Sequence, residues 1–252
     1  MSQVRIDWLA DVLRNAGCQV KTYKGWRNRS RPETSGGFAP RGLLIHHTGT
    51  RTSLANPAPT VGLCIRGRSD LPGPLAHAVL GFDGVFHVIA AGRANHAGTA
   101  RADGPMPSGD GNALYVGIEV DYSGSQDMGD KQREALIKGS AAILKKMGRD
   151  ESFMRGHKET SIAGKWDPGR HGASSPQYLM ADFRSDVRRE LAPLVQYVLM
   201  AGDDELAHSS PVRRDDGSAR RDRLKSFLGN RTAMIDAAHE DGKQPRVVRR
   251  KV

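Results

Sequence analysis

Asp83-Gly84 lies between two short apolar runs, residues 76–82 (AHAVLGF) and 85–90 (VFHVIA). An Asp-Gly pair in that setting supplies the positive-φ residues a tight hairpin requires, so the two runs are expected to pair antiparallel. Residues 42–48 (GLLIHHT) read as a buried strand, Val20 to Tyr23 as a short one, and Leu114 to Asp121 as another. Helical patterns separate them. Val4, Trp8, Leu9, Val12 and Leu13 repeat at helical spacing over 3–16, before Gly17. A short helix is expected near 61–66. Ala135, Leu136, Ile137, Ala142, Ile143 and Leu144 mark a helix over 130–147, before Gly148, and a last one covers 176–200 with Pro193 as a kink or break. A hairpin among strands interleaved with helices implies a mixed α/β class, a central mixed β-sheet flanked by α-helices.

At 252 residues the chain can bury a full core, with one domain and an appendage. Composition shifts after Gly202: residues 203–252 carry 12 basic and 9 acidic residues and few large apolar ones. The expected division is a domain over 1–202 and a charged linker or tail over 203–252, poorly structured, with one helix near 219–239 and a basic end. No internal repeat is visible.

The formal charge is +10. Such an excess draws a protein to polyanions, among them nucleic acid, acidic membranes and anionic cell-wall polymers. The chain lacks a P-loop, a GxGxxG, an HExxH and zinc-finger cysteine spacing, so a nucleic-acid role has charge alone behind it and is not expected. No apolar run approaches the roughly 20 residues that cross a bilayer. The opening Met1 to Trp8 has no apolar signal core, so accumulation in a cytoplasm is expected. Cys18 and Cys64 are the two cysteines. They do not suggest a disulfide framework; neither sits near the His/Asp cluster described next, and both read as buried thiols.

The stretch from Gly156 to Gly169 places His157 and Asp167 ten positions apart, with Lys165 two before the aspartate. Imidazole and carboxylate are both good ligands for zinc. One histidine from the 42–48 strand would complete three protein ligands, the number that leaves a catalytic zinc one position for water. Alternation puts His46 on one face of that strand and His47 on the other, and periodicity does not choose between them. Glu119 falls mid-strand on the face of Tyr115, Gly117 and Asp121, where a carboxylate is costly unless it has a partner or a task; the alternative is a solvated face. Gly117 beside it would suit close approach by a ligand. Glu119 could take a proton from a metal-activated water, and Lys165 could stabilise an oxyanion. Asp167 is restricted to extended geometry by Pro168. His96 comes just before the glycine-rich loop 97–112 and is a cleft candidate; His77, His87 and His171 read as structural or surface groups.

In order, IHHT at 45–48, AHAVLGFDGVFHV at 76–88, NHAG at 95–98, GIE at 117–119 and GH with GKWDPG at 156–169 resemble the zinc N-acetylmuramoyl-L-alanine amidases of the amidase-2/peptidoglycan recognition protein superfamily. The segments WLADVLRNAG and CIRGRSDLPGPLAHAVL resemble endolysins of phages that infect actinobacteria. The likeness covers roughly residues 5–180. It implies Zn2+ held by His46, His157 and Asp167, with His46 favoured over His47 because the position after the first ligand varies in the family. It also implies Glu119 and Lys165 as catalytic residues and His96 at a substrate-cleft position. Many relatives have Cys where this chain has Asp167.

The resemblance implies a peptidoglycan hydrolase that cuts the amide between the lactyl group of N-acetylmuramic acid and L-alanine of the stem peptide. Phage lysis would be its setting. A monomer would stay in the host cytoplasm until a holin-type membrane permeabiliser gave it access to the wall, where anionic polymers could hold it. Two alternatives remain: a zinc-free module that binds muropeptides without cutting them, and a zinc peptidase that cuts within the stem peptide.

Overall fold

The computed structural model describes residues 4–123, 126–169, 179–201, 204–209, 212–213, 226–229, 231, 234–235, 238 and 244–251. Two compact units are present, Met1–Arg188 and Arg189–Val252. The first contains, in order, α1 (Leu9–Asn15), β1 (Val20–Thr22), β2 (Gly42–His47), α2 (Val61–Arg66), β3 (Ala78–Leu80), β4 (Phe86–Val88), β5 (Thr99–Ala100) and β6 (Gly109–Asp110). There follow α3 (Gly111–Leu114), β7 (Tyr115–Val120), α4 (Asp130–Lys146), β8 (Met154–Gly156) and α5 (His157–Thr160); α6 (Met180–Leu191) begins in the first unit and ends in the second.

Six strands form one sheet in the order β1-β4-β3-β7-β2-β8. The expected hairpin is there: β3 and β4 pair antiparallel through the Asp83-Gly84 turn, with Gly84 at φ 83°. The remaining neighbours, β1 with β4, β3 with β7, β7 with β2 and β2 with β8, are parallel. The sheet is therefore mixed, as its interleaved helices required. All six residues of β2 are buried, since this strand sits inside the parallel part of the sheet.

Strand β8 was not legible as a strand, because three residues (MRG) carry no periodicity. It pairs with β2 by the register Leu43 to Met154 and Ile45 to Gly156. The loop 97–112 holds more structure than its composition suggested: β5 and β6 pair antiparallel, and Asp110 caps α3 by accepting from the Asn112 N–H.

Helix α4 packs its apolar stripe inward, including Leu136, Ile143 and Leu144. Asp130 in its first turn and Lys145 and Lys146 in its last complement the helix dipole, and Gly148, at φ 66°, ends it. The last helix is shorter than expected. It stops at Leu191, and Leu194–Ala201 is a strand, β9, in place of a continued helix. Pro193 removes a backbone donor at the break, and Val195, Tyr197 and Val198 favour the extended chain beyond it.

The second unit pairs β9 with β10 (Asp204–His208), β11 (Val212–Arg213) and β12 (Pro245–Lys251), all antiparallel. Leu199 and Phe227 form its small core with Leu206, Ile235 and Val247 packed around them. The extension thus contributes strands that charge-rich composition did not announce, and the compact unit begins at Arg189, inside the stretch read as part of the first domain. Of the helix expected over 219–239, residues 226–229, 234–235 and 238 are helical, and most of the remainder lies outside the described residues.

Gly139 lies where α4 meets the sheet. A Cβ there would come within 2.5 Å of Phe86 Cζ and 3.0 Å of Leu13 Cδ2. In Gly139→Ala, the helix-propensity gain of about 1 kcal/mol opposes an overpacking cost of about 1–3 kcal/mol. Because the Phe86 ring is fully buried, with little room to give way, overpacking should win. We expect a net loss of about 1 kcal/mol, read as a lower urea midpoint.

Candidate metal centre

The site lies at the C-terminal ends of three adjacent parallel strands, the usual place for a site in a sheet of this kind. The register pairs His46 on β2 with Glu119 on β7, so the two side chains share a face. Gly156 at the end of β8 pairs with Ile45, which brings His157, the next residue, beside His46. The two imidazole centroids are 4.5 Å apart. Alternation along β2 and β7 thus decides which side chains meet, and it is His46 that joins His157 and Asp167.

Asp167 arrives from the loop after α5. Its Oδ2 lies 3.2 Å from His46 Nδ1 and 3.1 Å from His157 Nδ1. Two backbone contacts hold this loop: Lys158 N–H donates to the Asp167 carbonyl at 2.7 Å, and Gly169 N–H donates to His47 Nδ1 at 3.3 Å. His47 therefore works from the opposite face of β2, packed edge-on against Tyr122 and Trp166. Below the loop, Glu159 Oε2 accepts from Gly156 N–H at 2.9 Å, and Arg184 grips the same carboxylate with two bonds of 2.9 Å. These fix the start of α5 and hence the place of His157.

Burial pushes His46 down to about 4, keeping its ring neutral. Burial also works against the charge of Asp167, yet hydrogen bonds from His157 and His46 outweigh it and hold this carboxylate well below its ordinary range. The three donor atoms lie within 4.8 Å of one another. The two carboxylate-to-imidazole spacings match the edge of about 3.3 Å expected between donors of a tetrahedral zinc with bonds near 2.0–2.1 Å. Two imidazoles and one carboxylate are also the donor types zinc takes, so these residues fit such an ion.

Glu119 is not on a solvated face. Its Oε2 is buried with no hydrogen-bond partner. Burial, then the charges of Asp167 and Asp121, push its carboxyl well above the ordinary value, while the Lys165 charge offsets part of this. A cation at the triad would act in the same sense as Lys165, favouring the charged carboxylate.

His46, Glu119, His157, Asp167, Lys165 and His96 all line one cleft of about 640 Å³. Lys165 is itself exposed at this cleft. The glycine beside Glu119 has a different use from the one expected. A Cβ on Gly117 would meet His96 Nδ1 at 2.5 Å, so its bare backbone admits the His96 ring rather than a ligand. Cys64, far from the cluster in sequence, is buried in the wall of the same cleft. Sequence spacing could not show this, because α2 reaches the site only through the tertiary fold.

Two other histidines are structural. His87 Nδ1 lies 2.7 Å from the Tyr23 hydroxyl, and His77 is fully buried, stacked on Phe38 and accepting from Gly117 N–H at 2.8 Å. His171 lies outside the described residues.

The family described as N-acetylmuramoyl-L-alanine amidase matches residues 36–170. No curated protein matches the chain. Among solved structures, a selenomethionine derivative of AmpD is 20% identical, covering 67% of this chain and 93% of its own at a TM-score of 0.47. The N-acetylmuramoyl-L-alanine amidase LysC from Clostridium intestinale is 15% identical, covering 67% and 97% at 0.45. The Staphylococcus aureus hydrolase AmiA with its ligand is 12% identical, covering 76% and 93% at 0.44.

Burial lowers His77 from 6.5 to about 4. Between those values the unfolded chain binds a proton that the folded chain refuses, so stability is full above the upper value and falls as the pH drops through the window. This one ring can remove up to about 3 kcal/mol. His77→Gln, which keeps an acceptor for Gly117 N–H, should decline less steeply with acidification when urea unfolding is followed from pH 7 to 4.

Proposed function

The chain belongs to the N-acetylmuramoyl-L-alanine amidase family, and on that basis we propose that its cleft hydrolyses the amide between the lactyl group of N-acetylmuramic acid and L-alanine in peptidoglycan, with zinc as cofactor. The observation that carries this reading is the meeting of His46, His157 and Asp167 from three separate segments, with Glu119 beside them. Bound by those three side chains, zinc would supply Lewis acidity, lowering the pKa of a water toward neutrality and polarising the carbonyl to be cut.

The chain's own groups do the remaining work. Glu119, set next to His46 by the strand register, takes the proton from the attacking water at its carboxylate and passes it to the departing alanine nitrogen. Its buried Oε2 has no competing donor. The exposed ammonium of Lys165 steadies the negative charge that grows on the carbonyl oxygen. His96 lines the same cleft and borders the substrate. The wall segment with Leu63, Leu71 and Leu75 gives the cleft an apolar side on which uncharged parts of the substrate can rest.

The same reading places the enzyme in phage lysis: it stays in the host cytoplasm as a monomer until a holin-type permeabiliser admits it to the wall. Its support is the likeness of residues 5–180 to phage endolysins, and the net charge of +10 would favour retention on anionic wall polymers. Among the described residues no helix is long and apolar enough to cross a membrane.

Mass spectrometry of digested peptidoglycan tests the bond assignment. Stem peptides with a free L-alanine amine are expected; internal peptide fragments would instead indicate a peptidase, and binding without products a recognition module. Glu119→Ala should retain zinc and thermal stability while losing turnover by at least about 100-fold, as expected for a lost acid–base group; loss of fold or metal would refute its role. In metal analysis, His46→Ala should lose bound zinc and His47→Ala largely retain it.

A further inference from the structure

His96 stands against the ligand His46 as closely as Asp167 does. His46 Nε2 is 3.0 Å from His96 Nδ1, while His46 Nδ1 faces Asp167. The two rings meet edge-on, with centroids 5.1 Å apart. A neutral imidazole carries one N–H. If Nδ1 of His46 is to give its lone pair to a cation, the proton must sit on Nε2, and that N–H then points at His96. We propose that His96 is a positioning residue for the metal centre, its Nδ1 accepting from His46 Nε2–H and so fixing both the tautomer and the angle of the ligand ring. This rests on the zinc reading above.

The surroundings of His96 are built to hold it there. Its ring lies on Gly117, the one residue of β7 that leaves room for it. Its main chain is clamped by a single side chain: Asn112 Oδ1 accepts from the N–H groups of His96, Ala97 and Gly98 at 2.7, 2.8 and 3.4 Å. Asn112 is itself placed by Asp110, whose Oδ1 accepts from Asn112 N–H at 3.0 Å. The other oxygen of Asp110 pairs with the buried Arg93 at 2.6 Å, and Arg93 also donates to the Gly37 carbonyl at 2.7 Å. An ordered chain of contacts thus runs from Arg93 through Asp110, Asn112 and His96 to the ligand. Residues in the second layer around a metal commonly change its affinity by 10–100-fold.

The test is the zinc dissociation constant, measured on the full-length protein by competition with a fluorescent chelator. His96→Phe keeps an aromatic ring but removes the acceptor, and zinc should bind about 10–100-fold more weakly. His96→Asn, which returns an oxygen near the position of Nδ1, should recover part of the loss. Asn112→Ala leaves both rings in place while freeing the His96 main chain, and should also weaken zinc. Thermal midpoints of the zinc-free proteins report whether each variant folds; should His96→Phe fail to fold, Asn112→Ala decides. An unchanged dissociation constant in the folded variants, with only KM raised, would leave His96 a substrate contact alone, with no part in holding the metal, and overturn the proposal. Absence of zinc binding by the unaltered protein would overturn the metal reading itself, a distinct result.

Discussion

Asp167 Oδ2 faces two imidazole nitrogens at little more than 3 Å each, and most of the molecule can be understood as what keeps those three atoms together. Left alone, a buried carboxylate and two buried histidines are unfavourable, because each loses water that no apolar neighbour replaces. Their convergence is tolerable because each satisfies the others, and because the donor set matches a divalent ion. The sheet supplies rigidity: β7, β2 and β8 run parallel and end together, so residues 46, 119 and 157 emerge at one edge without any loop having to aim them. Only Asp167 comes from irregular chain, and that loop is tied down on both sides, to Lys158 and to His47.

Two features divide the labour between faces of the same strand. His46 meets His157 and Asp167, while His47, one residue on, accepts from Gly169 N–H. Adjacent histidines therefore have different partners, a candidate ligand group for one and a loop backbone for the other. The glycine at 117 shows the same economy, since lack of a side chain on β7 makes space for the His96 ring that then leans on His46. The electrostatics follow from the geometry. Glu119 is surrounded by burial and by like charges from Asp167 and Asp121, with Lys165 opposing them, so its charge state is governed by whichever cation shares the cleft.

Much of this was legible in the chain itself. Asp83-Gly84 between apolar runs announced the hairpin, and Gly148 and Pro193 marked real stops, because turn and helix-end chemistry is local. Other elements were not legible for equally physical reasons. Strand β8 has three residues and too little pattern to show a period. The stretch Leu194–Ala201 was read as helix because its apolar content suits either state, and strand neighbours decided the matter. The sheet of the second unit was hidden in a charge-rich tail whose pairing partners are distant in sequence.

By itself, the sequence determined the mixed α/β class, the types of side chain available for the chemistry and the family to which residues 36–170 belong. It could do so because turn residues, periodicity and ligand-forming groups are properties of short segments. What it left open was which histidine joins His157 and Asp167, whether a Glu119 carboxylate oxygen is buried, that Cys64 reaches the same cavity and that His96 touches His46. Those depend on register between strands and on the close approach of segments 50 to 121 residues apart, and a one-residue shift in that register would have turned His46 or Glu119 to the other face.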